Sequence, residues 1–354
     1  MAQVVGTDTR IITSVEDVYK TVPTLSAVKQ GIVMPYQSES LDKKQNLVDS
    51  KVIKDSRDGR KPGRGNYETG GDIKTELNQA MYAIFAYALG SAASVDSLAA
   101  SITVNAAGVG TAPYVHTFKV GTLPSFVVEK KFTSLGTPRF FQSTGSKVSK
   151  LDIELKSDGL VDISIGIMGA DVIDSANSMS KLSTDQNGYD LAYPHTSWQS
   201  FEAIAADIKI GGAAFAGIST FSLSLENNLD GGSYVVGGAG ARTSLPAGTV
   251  KVSGKVVAQF SDTIGANSAA LITDALAGTE RSIDITFTRG TGVGGIGNEK
   301  LRINIPEVLF GTAMPLISGP TGIMVELPFT AYYENNSDAT TLMVVITINY
   351  PPRY

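Results

Sequence analysis

The strongest constraint on the fold is a pattern that occurs twice. Gly71 opens GDIKTEL and Gly254 opens GKVVAQF; both fit glycine, any residue, Ile or Val, three residues, then Leu or Phe. Helical spacing follows each. Leu77, Met81, Ile84, Phe85, Ala88 and Leu89 form an apolar stripe that stops at Gly90-Ser91; Ile264, Leu271, Ile272, Ala275 and Leu276 form a weaker one that stops at Gly278-Thr279. Period-two segments then follow in the same order: YVHTFKV, PSFVVEKKF, KVSKLDIEL and LVDISIGIM after the first helix, RSIDITFT, KLRINIPEVLF, GIMVELPFTAYY and TLMVVITI after the second. The last two strands of each half are expected to form a hairpin, closed by Ser157-Asp158-Gly159 and by the ENNSD run from Glu334. A preserved order of one helix and four strands, close to half the chain apart, implies duplication.

This reading divides the chain into an N-terminal extension (1–30), a first unit (31–173), a polar aperiodic linker (174–200) and a second unit (201–354). The fold class is α+β, mainly β. Each unit carries a long arm before its glycine motif. In the first, the arm runs from the strand at Ile32 to Gly71 and holds Lys43, Lys44, Lys54, Arg57, Arg60 and Arg64. In the second, Phe221, Leu223 and Leu225 alternate with Ser222 and Ser224 as a half-buried strand, then give way to a glycine run that includes Asp230, Gly231 and Gly232. Aperiodic segments of this length in compact domains are usually arms or interaction loops. The glycine run is expected to be mobile in a monomer and to order against an adjacent copy.

Composition narrows the function. The 354 residues are 42% hydrophobic, enough for a large core, and contain no cysteine, so disulfides, thiolate chemistry and cysteine-ligated zinc are unavailable. Synthesis in a cytoplasm is the default expectation. The N-terminal residues lack a signal pattern, and the longest apolar run, from Ala80, is too short to span a membrane. A net charge of −5 argues against a dedicated nucleic-acid binder. Charge is uneven, however: residues 42–68 hold eight Lys or Arg against five Asp or Glu, and residues 171–230 hold two against eight.

The residues of a reaction centre do not assemble. His116 lies in a strand and His195 in the linker, in no metal-ligand spacing, and no Gly-x-Ser-x-Gly elbow supports a serine nucleophile. GVGGIG, from Gly292 to Gly297, matches a dinucleotide fingerprint in letters, but a strand rather than a helix follows it, so it reads as a hairpin loop. Asp152, Glu154, Asp162 and Asp284 alternate with apolar residues, as on the wet face of a sheet. No catalytic residue, metal or cofactor is assigned. Interleaved aspartates make the basic arm a solvated or protein-contacting segment rather than a phosphate binder.

A β-rich duplicated chain with long arms and opposed charge patches suits a self-assembling structural subunit. The paired glycine motifs, PSFVVEKKF, KLDIELKSDGLVDISI, TSLPAGTVKVSGKVVAQF and ISGPTGIMVELPFTAYYENNSDATTLMVVI resemble tail tube proteins of tailed bacteriophages. The resemblance implies two tandem β-sandwich units, each with a flanking helix and arm. It implies assembly with itself into rings stacked as a tail tube in the virion, around a channel for genome ejection. A chain with two units would form trimers of pseudo-sixfold symmetry. Implied partners are a tape measure protein, tail-end proteins and transiently passing double-stranded DNA, without membrane insertion. About 24 strands at about 4.8 Å spacing and a tilt near 45° give a backbone diameter of about 50 Å, wide enough for a duplex. Asp152, Glu154, Asp162 and Asp284, with Ser164, Thr286 and Thr288, are then the candidate channel face. Another β-rich virion or surface module, an adhesin or carbohydrate-binding domain, is the alternative, although the single Trp198 offers a sugar little to stack on.

Overall fold

A computed structural model describes residues 4–25, 31–53, 55, 57–90, 92–97, 114–132, 135, 137–179, 192–193, 199–215, 217–262, 267–294, 297–317 and 322–348. The first half supplies β1 (Thr9–Val15), β2 (Gly31–Met34), β3 (Ser38–Glu39), β4 (Asp42–Val48), β5 (Gly63–Glu76), α1 (Met81–Leu89), β6 (Ala92–Ser97), β7 (Tyr114–Lys119), β8 (Phe126–Phe132), β9 (Arg139–Lys156), β10 (Asp162–Gly169), β11 (Asp171–Ser175) and β12 (Ala192–Tyr193). The second supplies β13 (Ala206–Ile210), β14 (Ala213–Ala214), β15 (Ile218–Glu226), β16 (Lys251–Gln259), α2 (Ser268–Ala277), β17 (Arg281–Thr288), β18 (Lys300–Phe310), β19 (Met324–Ala331) and β20 (Met343–Ile348). Among the described residues the protein is mainly β with two α-helices, as the sequence pattern predicts.

The order of pairing is the same in both halves. In the first, β1 pairs with β2 and β8, β5 with β4 and β10, and β9 with β8, β10 and β11. In the second, β13 pairs with β14 and β17, β16 with β15 and β19, and β18 with β17, β19 and β20. The strand that answers β17 is therefore β8 rather than β7, one element later than helix-to-strand counting suggests. The cause is the β6–β7 hairpin, which sits between α1 and β8, whereas α2 leads directly into β17. The glycines of the repeated motif lie at matching places. A Cβ on Gly71 would stand 2.4 Å from the Ser40 carbonyl oxygen, and one on Gly254 would stand 2.1 Å from that of Ser222. Both backbones approach too closely for any side chain.

Two expected hairpins resolve differently. Residues 157–159 do close an antiparallel β9–β10 pair. The ENNSD run does not close a β19–β20 hairpin: β20 pairs with the first part of β18 and β19 with its last residues. The Glu307 side chain, rather than a strand ladder, fixes that connection, accepting from the backbone N–H of Glu334 at 2.8 Å and of Asn335 at 3.2 Å. The described residues of GVGGIG, Gly292, Val293, Gly294 and Gly297, lie between antiparallel β17 and β18, as expected; Gly295 and Ile296 fall outside the described residues.

The two halves share strands' edges instead of standing apart. The C-terminal part of β9 pairs with β15 from Lys156 opposite Thr220 to Lys150 opposite Glu226, and β20 pairs with β7. Hydrogen-bonded order thus runs β4–β5–β10–β9–β15–β16–β19–β18 across both halves, while β13–β17–β18–β20–β7–β6 forms a second stretch. Leu151, Ile153 and Leu155 of the first stretch and Ile283, Ile285 and Phe287 of the second belong to one apolar cluster, which therefore lies between them. Strand β11 straddles the expected boundary at residues 173 and 174, and most of the linker, with His195 and Trp198, falls outside the described residues.

Helix α1 is buried on every side, so its nine apolar residues need no polar face. Tyr87 stacks on Phe126 at 4.3 Å, and Tyr82 meets the buried His116 ring at 5.4 Å, making His116 a core residue. Helix α2 is capped by Asn267, whose side chain accepts from Ala270 N at 2.8 Å, and ends on left-handed Gly278. Leu271, Ile272 and Ala275 face the core, but Leu276 is exposed; Ile264 lies outside the described residues.

Candidate assembly surface

From the C-terminal part of β5 to β19 the eight-stranded stretch has one apolar and one polar face, whereas β4 buries none of its residues. Along β9 and β15, Leu151, Ile153, Leu155, Phe221, Leu223 and Leu225 are buried, and the alternate residues point the other way. Asp162 lies opposite Glu154 and Ser164 opposite Asp152 on one side; Ser222 and Ser224 flank the same two carboxylates on the other. Three expected channel residues, Asp152, Glu154 and Asp162, are thereby brought together. The face is less acidic than the sequence suggests. Lys150 pairs with Asp152 at 3.1 Å, Lys156 with Glu154 at 3.2 Å, and Lys255 with Glu326 at 3.3 Å. Exposed pairs of this kind contribute about 0–1 kcal/mol each, so they set the pattern of charge more than stability.

Asp284 does not join them. It alternates with Ile283 and Ile285 on β17, in the other stretch, and points away from the shared core there. Arg302 on β18 donates to it from Nε at 2.5 Å. Alternation alone cannot tell the outer face of one layer from that of the other, since both read apolar-in and polar-out.

The first arm is the hairpin of β4 and β5 with its connecting loop. Lys43 is half-buried: its Nζ meets Asp171 at 2.5 Å and lies 4.1 Å from the Tyr67 ring centre. Charge complementarity between the basic arm and the acidic stretch is thus used here within one chain. Lys44, Arg57, Arg60 and Arg64 are exposed, and Lys54 lies outside the described residues. The loop also exposes Val52 and Ile53, the latter at 95%, beyond the exposed Leu47 and Val48 of β4.

The glycine run of the second arm is ordered against its own chain, contrary to the mobile segment expected. Asp230 N donates to Pro246 O at 2.9 Å, and the Asp230 carboxylate accepts from Gly232 N at 2.8 Å. Arg242, almost fully buried, donates to Gly231 O at 2.8 Å and to Gly169 O at 2.8 Å. Tyr67 N donates to Gly240 O at 2.8 Å, so the run lies over β5. Gly231 and Gly240 allow close approach, a Cβ there standing 3.0 Å from Met168 Sδ and 3.1 Å from the Tyr67 ring, while Gly237 and Gly240 hold left-handed backbone at φ 84° and 81°.

A family model described as phage tail tube protein matches residues 6–331. The chain belongs to that family. A search of curated proteins returns no match. Tail tube proteins are structural components of the virion that assemble with themselves into a tube, and the polar-faced sheet and arms of this tail tube protein are read in that light. Among the described residues, no helix is long and apolar enough to cross a membrane, and no group of three or more His, Asp or Glu side chains is arranged to hold a metal.

Two features of this tail tube protein were missed by sequence reasoning. One is the apolar tip of the first arm, Leu47, Val48, Val52 and Ile53, hidden among lysines and arginines. The other is the segment after β18, where Met314, Leu316 and Ile317 are 66%, 81% and 81% exposed. A signal existed for both: apolar residues flanked by turn-forming and charged residues where no helix or strand period places them in a core.

Proposed function

We propose that three copies of this tail tube protein close into a ring of pseudo-sixfold symmetry and that rings stack into a channel for genome ejection. The carrying observation is the eight-stranded stretch, with β4 at one edge and, at the other, the end of β18, where Leu309 and Phe310 pair with β19 beyond the part of the strand that pairs with β17 and β20. Three such stretches supply the roughly 24 strands whose barrel has a backbone diameter of about 50 Å. The repeated pairing order supports reading the chain as two copies of one tail-tube unit, the second in residues 201–354 and the first in residues 31–173 together with β1 of the N-terminal extension and the end of β11. The β9–β15 joint inside the chain is then the pattern for the joint between chains. The polar face bearing Asp152, Glu154 and Asp162 lines the channel, where carboxylates withhold from DNA the counterion-releasing contacts that an all-basic wall would make. The basic arm with its apolar tip reaches a neighbouring copy, as the glycine run reaches β5. A tape measure protein, tail-end proteins and passing DNA complete the set of partners, after synthesis in the host cytoplasm.

Native mass measurement on purified protein, with electron microscopy of the same sample, tests this. The reading requires a ring of three times the 37.1 kDa chain mass, and tubes built from it. Monomers at every concentration would favour a surface or carbohydrate-binding module instead.

A further inference from the structure

We propose that the Glu129 carboxyl works a proton-dependent clasp: protonated, it closes residues 177–179 over the outer face of the first half, and ionised, it lets them lift. The clasp acts within one chain and does not depend on ring closure. Glu129 stands at the middle of β8, fully buried, opposite Ile12 of β1 and Gln142 of β9. The segment that follows β11 lies on this row. Glu129 Oε1 meets Ser178 Oγ at 2.5 Å, and Oε2 accepts from Met179 N at 2.6 Å and from Gln142 Nε2 at 2.8 Å. Gln142 Nε2 also donates to Asn177 O at 3.2 Å. Met179 then packs with Leu25, Ile12, Val33 and Val127 in an apolar cluster separate from the main core.

This bonding admits a proton at one place. A hydroxyl can donate or accept, so a protonated Oε1 can donate to Ser178 Oγ while Oε2 keeps both of its N–H donors. No hydrogen bond is lost in either form; what differs is a buried charge. Burial raises this carboxyl above its ordinary value, against the pull of its hydrogen bonds and of Lys131. Lys131 and, opposite it on β1, Arg10 are the cationic groups that the strands place on this face. Asp171 at the start of β11 is taken up by Lys43, and Glu16 accepts from Gly145 N at 2.7 Å; Lys20 lies beside Gly145, and Asp17 is exposed. Val33 and Gln142, which β2 and β9 contribute, are uncharged. Lifting residues 177–179 admits water to the carboxyl and returns it to the ordinary value, so opening is favoured as pH rises.

The second half shows that the cover is an addition. Its pairing places Asp284 and Asn304 where Glu129 and Gln142 stand, and Lys209 where Ile12 stands. There the carboxylate bonds within its own sheet, to Thr286 and Arg302, and Lys209 is exposed. A unit therefore closes its core without a cover on the carboxylate, and it is the first half that has an apolar strip, Ile12, Val33 and Val127, to bare.

Amide exchange of the full chain, read at residue 179 and corrected for the intrinsic rate, tests this from mildly acid to weakly alkaline pH. The Met179 amide is expected to be less protected than the core strands β9 and β17 at every pH. Above the ordinary carboxyl value it should lose up to about tenfold in protection per pH unit before levelling off. In Glu129→Gln the side-chain carbonyl can take the two N–H groups and its own N–H can face Ser178, so the segment is expected to stay closed with no pH slope. Met179→Ala loosens the apolar hold and leaves the carboxyl in place. It should lower protection at residue 179 at every pH with the slope kept, and it carries the test if Glu129→Gln does not fold. Equal protection of residue 179 and the core strands, a wild-type profile without a slope, a slope lost in Met179→Ala, or the same slope in Glu129→Gln overturns the clasp.

Discussion

The hydroxyl of Tyr234 donates to the backbone carbonyl of Tyr67 at 2.6 Å, tying the glycine run of the second half to β5 of the first. Arg242 stacks beneath the same ring at 5.4 Å and reaches carbonyls of three segments, Gly231, Thr69 and Gly169. Tyr234→Phe should cost about 1 kcal/mol, one hydrogen bond, and Arg242→Ala about 2–4 kcal/mol, because it leaves buried carbonyls without donors. Urea unfolding checks the magnitudes. Hydrogen exchange should show residues 231–241 loosened in Arg242→Ala well before the core.

Gly71 and Gly254 offer a paired test of the repeat. Each faces a backbone oxygen, that of Ser40 between β3 and β4 or that of Ser222 in β15, so neither neighbour can yield as a side chain would. Gly71→Ala and Gly254→Ala should each destabilise by about 2–4 kcal/mol through strain and lost strand pairing. Gly159→Ala is the control for space, since nothing lies within 4 Å of its Cβ position, although its positive φ still costs about 1 kcal/mol. Unfolding midpoints that do not move in either motif variant would show that the two glycines do not hold equivalent tight joints.

The alternation of β9, β10, β15, β17 and β18 and both helices were legible because period two and period 3.6 record which side of an element is buried. What was not legible was partnership. Asp152 and Asp284 have the same local pattern, and only the register of β9 with β10 and β15 separates them. The β6–β7 hairpin displaced the matching of strands because strand order along the chain says nothing about which edges meet. The glycine run gave the opposite impression from its structure: composition there records close approach at Gly231 and Gly240 and left-handed turns at Gly237 and Gly240, and Arg242, buried among carbonyls, ties the loop down.

The proposed channel face yields a functional prediction. Asp162 is exposed and Asp152 and Glu154 are half-exposed, so replacing all three with lysine should leave folding and tube assembly largely unchanged. Together with Lys150 and Lys156 they would present a basic wall that binds phosphate, and genome release from such tubes should slow, recovering as salt is raised. Ejection kinetics at several ionic strengths measure this. An unchanged rate from tubes whose lysines face the channel would remove wall charge from the account.

Glu129 predicts a pH dependence of stability. It is fully buried, and burial raises its carboxyl above the ordinary range against hydrogen bonds from Ser178, Met179 N and Gln142 and the charge of Lys131, which pull it down. Between the ordinary carboxyl value and the raised one, the folded chain keeps a proton that the unfolded chain has released. Stability from this group is therefore greatest at the acid end of that interval and falls as pH rises through it. Glu129→Gln cannot ionise, and its unfolding free energy should lack that slope. Parallel profiles for the two proteins across mildly acid to neutral pH would contradict the assignment.

Cryo-electron microscopy of assembled tubes tests the central claim most directly, because it counts chains and shows which face is inside. The account predicts three chains per ring, about 24 strands around the channel, and Asp152, Glu154 and Asp162 facing the lumen. Rings of six chains, or a lumen lined by the Asp284 face of β17 and β18, would contradict it.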